Sequence, residues 1–215
     1  MKEGCSVENT PGNFFPEWQP TALYNNMLAP CFQMAVRGFL WYQGESDVQG
    51  NPNYEKQLGQ MIQLWRSKFT YAAEKNAPFI IIQLPNFGER NDIPDYCEWP
   101  LTREAQFNAS MKNKNCGLAV TIDCGDWNDL HPEDKETVGT RAALEAERLA
   151  YGRKIESSPY ATGIKATADG AIVEFSREIT FDSGRLSCDE VSFGSELNGR
   201  HNISGGKISL AWTTK

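Results

Sequence analysis

The sequence predicts an α/β fold built on a parallel sheet and followed by a small antiparallel β module. Three observations carry this. Apolar runs alternate with amphipathic segments in β-α-β-α-β-α order over residues 36–152, the pattern of a parallel sheet with helices on both faces. The run "FIIIQL" at 79–84 is almost wholly apolar, as in a strand covered on both faces. After Arg153 the texture changes to short alternating segments with turn pairs such as Asp169-Gly170 and Asn198-Gly199, which read as antiparallel strands. Two units follow, residues 1–152 and 153–215, with the boundary near 153–160.

Residues 1–35 read as an irregular entry followed by a helix, with Leu23, Met27 and Met34 as its apolar positions and Pro30 interrupting it. Residues 36–42 form the first strand. In "NPNYEKQLGQMIQLWRSKF", Tyr54, Leu58, Met61, Trp65 and Phe69 recur at helical spacing, and Pro52 suits a helix start. Residues 79–84 are the second strand and "WPLTREAQFNASMKN" the second helix. Residues 118–122 are the third strand. The third helix lies in "PEDKETVGTRAALEAERLAYG", with Pro132, Glu133 and Asp134 at its start and Gly152 at its stop.

With 215 residues and a net charge of −7, an acidic surface argues against nucleic acid or an anionic membrane as a partner. No apolar run approaches the roughly 20 residues of a membrane span, so no membrane insertion is expected. The six cysteines form no CxxC pair and there are only two histidines, so no metal site or cofactor is expected.

Ligands of parallel α/β sheets bind beyond the carboxyl ends of the strands. Those ends here are "QGESD" at 43–47, "PNFGERND" at 85–92 and "DCGDWNDLHP" at 123–132. His131 therefore stands where chemistry is expected, with Asp123, Asp126 and Asp129 just before it. A carboxylate beside an imidazole fixes its tautomer and stabilises the imidazolium of a general base. The plainer alternative is a polar loop histidine that caps the next helix.

Together "WYQGESD", "WPLTREAQ" and "DWNDLHPEDKETVGTRAALEAERLAYG" closely resemble the sialate O-acetylesterases and related carbohydrate acetylesterases of the SGNH-hydrolase fold. The resemblance covers about residues 20–152. It implies a flavodoxin-like three-layer sandwich and hydrolysis of acetyl esters on sugars by a Ser-His-Asp mechanism. It makes His131 the general base and Asp129 the natural acid, with Asp126 in reserve. The position three before the histidine, where many such enzymes have the acid, is Asn128. It also implies an oxyanion donor at Gln43, close backbone approach at Gly44, and a bracing role for Glu45, whose partner could be Arg103; a turn carboxylate is the other reading of Glu45. Arg103, Glu104 and Gln106 are implied as supports. The family is often exported, which points to an extracellular or periplasmic site.

The resemblance stops at the nucleophile. The family's "GQSN" or "GDS" element is absent, Ser6 lacks a strand-glycine context, and Ser46 belongs to the oxyanion loop and is expected to point into it. The expectation is an esterase whose serine lies on an upstream segment, a chain inactive alone, and self-association through an exposed sheet edge. A non-catalytic sugar-binding domain on an esterase scaffold is the alternative; a structural or interaction domain leaves the strand-end motifs as coincidence.

Overall fold

The computed structural model describes residues 19, 21–48, 50–88, 97–168 and 170–178, and the backbone of 202–204 and 207–211. Ser6 and residues 89–92 of the second strand end lie outside the described residues. Three strands, β1 (Phe39–Tyr42), β2 (Phe79–Ile82) and β3 (Cys116–Ala119), form a parallel sheet in the order β1-β2-β3. Helices α1 (Tyr54–Lys68), α2 (Glu98–Lys112) and α3 (Lys135–Ala150) follow the strands in turn.

Side chains alternate between the two faces of a strand, and the sheet is covered accordingly. Phe39, Phe79 and Ile81 pack with Tyr54, Leu58, Ile62 and Phe69 of the α1 region and Ala109 of α2. Ile80, Ile82 and Ala119 pack on the other face with Val138 and Ala142 of α3. This is the three-layer α/β arrangement expected from the sequence. β2 is buried along its whole length. β1 is different: among the described residues it pairs only with β2. Leu40, on the α3 face, is 59% exposed because α3 lies over β2 and β3.

The strands are shorter than the sequence suggested. β3 begins and ends earlier than 118–122, since its register runs Phe79↔Cys116 to Ile82↔Ala119. Beyond Ala119 the chain stays tied to the β2 exit without a regular ladder, through Gln83 N–H to Ala119 O (2.9 Å) and Asn86 N–H to Ile122 O (3.0 Å). The entry helix needs a correction of its face. Leu23, Met27 and Met34 are exposed, while Leu28, Cys31 and Phe32 pack on the core. A wide π-helical turn, Tyr24–Leu28, runs into a tight 3-10 turn, Ala29–Gln33, with Pro30 near its start. The angular spacing of an α-helix does not hold across that change of pitch. α3 starts at Lys135, later than Pro132, because the Asp134 carboxylate accepts from Thr137 N–H (2.9 Å) and caps it.

The C-terminal residues form a separate antiparallel sheet: β4 (Ala161–Thr167), β5 (Gly170–Phe175), β6 (Asn202–Ser204) and β7 (Lys207–Ala211), ordered β4-β5-β7-β6.

Candidate active site

The chain leaves β1 through Gln43 and Gly44 and enters a 3-10 turn, Glu45–Asp47. Gly44 has φ +148°, and a Cβ there would meet Tyr54 Oη at 3.1 Å, Gln106 Nε2 at 3.3 Å and Leu84 Cδ1 at 3.3 Å. Those neighbours hold the turn. The Tyr54 hydroxyl donates to Gln43 O (2.8 Å), and Gln106 Nε2 donates to the same carbonyl (3.0 Å). The other end of the Gln106 amide accepts from Leu84 N–H (2.9 Å). Gln106 is fully buried, so one α2 side chain couples the exits of β1 and β2. Two further partners of the β2 exit are on α2: Trp99 Nε1 donates to Pro85 O (2.6 Å), and Arg103 Nη1 lies 3.5 Å from the same carbonyl. Of the polar residues that α2 turns inward, Arg103 and Gln106 meet loop backbone, while the Thr102 and Ser110 hydroxyls donate to Glu98 O and Phe107 O of α2 itself.

Gln43 is partly buried, and its side chain is held at both ends. Its Nε2 donates to Asp47 Oδ2 (2.7 Å), and its Oε1 lies 3.3 Å from the Tyr54 hydroxyl. Burial raises the Tyr54 hydroxyl above its ordinary pKa, with Asp47 and Glu45 adding to the rise. Glu45 is half-buried in the turn, and its charge, after burial, helps to raise Tyr42 as well. Ser46, between Glu45 and Asp47, is exposed.

The loop between β3 and α3 carries His131. It packs on the β2 exit at Gly125, whose N–H donates to Asn86 Oδ1 (2.8 Å); a Cβ on Gly125 would fall 1.8 Å from Asn86 O. Asp126 and Asp129 face each other in a short antiparallel bridge. Asp129 Oδ1 accepts from His131 N–H (2.7 Å) and lies 3.9 Å from His131 Nδ1. Sequence reasoning pairs this carboxylate with the imidazole; the structure brings the two together at ion-pair distance, outside hydrogen-bonding distance. The imidazole is 90% exposed, so it stands free at the sheet edge and not within a cleft. The helix-cap reading of His131 does not hold, because Asp134 is the cap. Asp126 Oδ2 receives Glu133 N–H (3.4 Å). Asp123 is engaged elsewhere: both its oxygens pair with the Arg141 guanidinium, which holds its carboxyl below the ordinary value. A shallow depression of about 460 Å³ lined by Asp123, Asp126, Asp129, Glu133 and Asp134 lies alongside.

The end of β1 meets the start of α3 where Lys135 Nζ sits over the Tyr42 ring, 5.3 Å from its centroid. Tyr42 directly precedes Gln43, and Lys135 directly follows the histidine loop. No hydrogen bond links Gln43 to His131 among the described residues. Nor does any group of three or more His, Cys, Asp or Glu there have an arrangement that could hold a metal ion.

Residues 8–146 match the family described as carbohydrate esterase, sialic acid-specific acetylesterase. The chain belongs to this carbohydrate esterase family. It is 33% identical to the sialate O-acetylesterase of Mus musculus over 175 residues, 72% of this chain and 32% of the mouse protein. It is 32% identical to that of Homo sapiens over 146 residues, 62% of this chain and 28% of the human one. Among solved structures, a carbohydrate acetylesterase from Xanthomonas citri superposes with a TM-score of 0.74 at 30% identity, covering 90% of this chain and 46% of that one. The chain thus spans about a third of the length of the curated relatives it matches.

Within this esterase scaffold, sequence reasoning missed the parts played by Tyr54 and Asp47. Tyr54 counted only as an apolar position of α1, although a hydroxyl on a buried helical face needs a partner. Asp47 counted only as the end of a turn.

Proposed function

We propose that this chain carries the base, the acid and the oxyanion donor of an O-acetylesterase acting on acetylated sugars, with the serine supplied by an upstream segment of a longer polypeptide. The observation that carries the reading is the placement of two anchored loops, 43–47 and 123–132, at the same carboxyl edge of a parallel sheet, after β1 and β3, in a chain of the carbohydrate esterase family. His131 Nδ1 is turned to Asp129, which leaves Nε2 to take the serine proton. The serine oxygen then bonds to the acetyl carbon, and Gln43 donates to the oxygen that becomes negative. The C–O bond to the sugar breaks, and the imidazolium gives the proton to the departing sugar oxygen, which leaves as a hydroxyl. Water, activated by the same base, releases acetate. Asp129 stabilises the imidazolium after closing the 3.9 Å gap. Among the described residues β1 pairs only with β2 and Leu40 is exposed, which fits a further strand and its helix beside β1. Residues 1–152 serve as the esterase unit and 153–215 as an appended β module. The isolated chain self-associates through the β1 edge.

The test joins labelling with mutation. A fluorophosphonate leaves the 215-residue chain unlabelled, and the polypeptide that includes the serine segment is labelled once. In that polypeptide His131→Ala lowers aryl acetate turnover by several orders of magnitude. Labelling of Ser46 in the short chain, or turnover within a few-fold of wild type in the variant, rejects the proposal; sugar binding without turnover in the longer polypeptide makes it a binding domain.

A further inference from the structure

We infer that Asp47 is the positioning residue for the Gln43 amide, setting which way the oxyanion donor faces. The inference rests on the esterase reading above and deepens it. A glutamine amide has two chemically different ends, and a donor role needs the NH₂ end held toward the substrate. Asp47 supplies the constraint. Its carboxylate can only accept, so the end of Gln43 that meets it at 2.7 Å is Nε2. Tyr54 Oη sits at 3.3 Å on the opposite end, Oε1. One Nε2 hydrogen is taken by Asp47 and the second is left for a ligand.

Asp47 is itself held. Its second oxygen, Oδ1, accepts from Asn51 Nδ2 (2.5 Å), and its backbone N–H donates to Gly44 O (2.9 Å). Asn51 Nδ2 also reaches Gln57 Oε1 on α1 (2.9 Å). The carboxylate therefore joins the turn to the helix, and both its oxygens are used by amide donors. An amide at position 47 has one acceptor for two donors, so Asp47→Asn keeps one of the two bonds. Asp47→Ala keeps neither, and the Gln43 side chain regains its torsional freedom. Misplacing a catalytic group by about 1 Å costs on the order of a hundredfold in rate.

Two measurements test this. In the 215-residue chain, the Gln43 side-chain amide signals in a proton–nitrogen correlation spectrum are identified by their loss in Gln43→Ala. The proton facing Asp47 is deshielded, and Asp47→Ala moves it upfield while Ser46→Ala, at an exposed neighbour, does not. Unmoved Gln43 signals in Asp47→Ala overturn the inference. In the polypeptide with the serine segment, Asp47→Ala lowers kcat about tenfold to a hundredfold with KM little changed, and Asp47→Asn recovers part of the loss. In a Gln43→Ala background the further loss from Asp47→Ala vanishes, since Asp47 acts through Gln43. Full additivity overturns the positioning role while leaving the esterase reading intact. A Gln43→Ala enzyme of unaltered kcat overturns the reading of Gln43 itself, and with it this inference.

Discussion

Gln106→Ala removes the amide that couples the β1 and β2 exits, and its cost can be worked from the bonds it breaks. Leu84 N–H loses its partner at 2.9 Å, and Leu84 is fully buried. A buried donor left unsatisfied costs about 1–3 kcal/mol. Gln43 O loses one donor but keeps the Tyr54 hydroxyl at 2.8 Å, so this second loss is nearer about 0.5–1 kcal/mol. The two bonds together are worth about 1.5–4 kcal/mol, and the void left by a fully buried side chain adds to that, so the loss is at least about 2 kcal/mol. Urea unfolding followed by tryptophan fluorescence measures it as a fall in midpoint at unchanged slope. Gln63→Ala, at an exposed α1 position, is the control and stays within about 0.5 kcal/mol. Gln106→Met fills the space without the bonds, so the part of the loss it retains is the hydrogen-bonding part. A Gln106→Ala loss under about 0.5 kcal/mol would refute the view that this amide carries the loop.

Three other expectations follow from the same geometry. Asp129→Asn reduces kcat less than His131→Ala and more than Asp126→Asn; the reverse order of the two aspartates in steady-state kinetics moves the acid to Asp126. Gly125→Ala places a Cβ against a backbone oxygen of Asn86 and lowers the melting temperature clearly, whereas Gly139→Ala, in a helix with open space around it, is neutral or stabilising by about 0.5–1 kcal/mol. Arg141 lowers the Asp123 carboxyl below 3.8, so the stabilisation from this pair is fully present above that value and is lost as pH falls through the lower folded value. The stability gap between wild type and Arg141→Leu therefore narrows as urea titrations are taken below pH 4, and a gap that instead widened with acid would contradict the pairing.

The sequence by itself determined the layer order. The short apolar runs that hold 39–42 and 79–82 are too brief for helices and rich in β-branched and aromatic residues, and α1 carries apolar residues at helical spacing, so the element types follow from length, composition and period. It also determined that the polar motifs stand at the carboxyl side of the sheet, since each follows an apolar strand run, although β2 and β3 themselves stop short of where apolar character does. What it could not decide was partnership between distant polar groups. Gln106 and Gln43 are far apart in sequence, and nothing local states that α2 turns this glutamine onto the Gln43 carbonyl. The face of the entry segment escaped for a related reason: the pitch changes from π to 3-10 at Pro30, and a single helical period misassigns Leu28 and Phe32. Likewise "NDLHP" put a carboxylate beside His131, but only the folded loop decides that Asp129 holds the backbone N–H at 2.7 Å and leaves the imidazole at 3.9 Å. A carboxylate two residues from a histidine has both donors within reach, and the tertiary path of the loop across Asn86 and Gly125 selects between them.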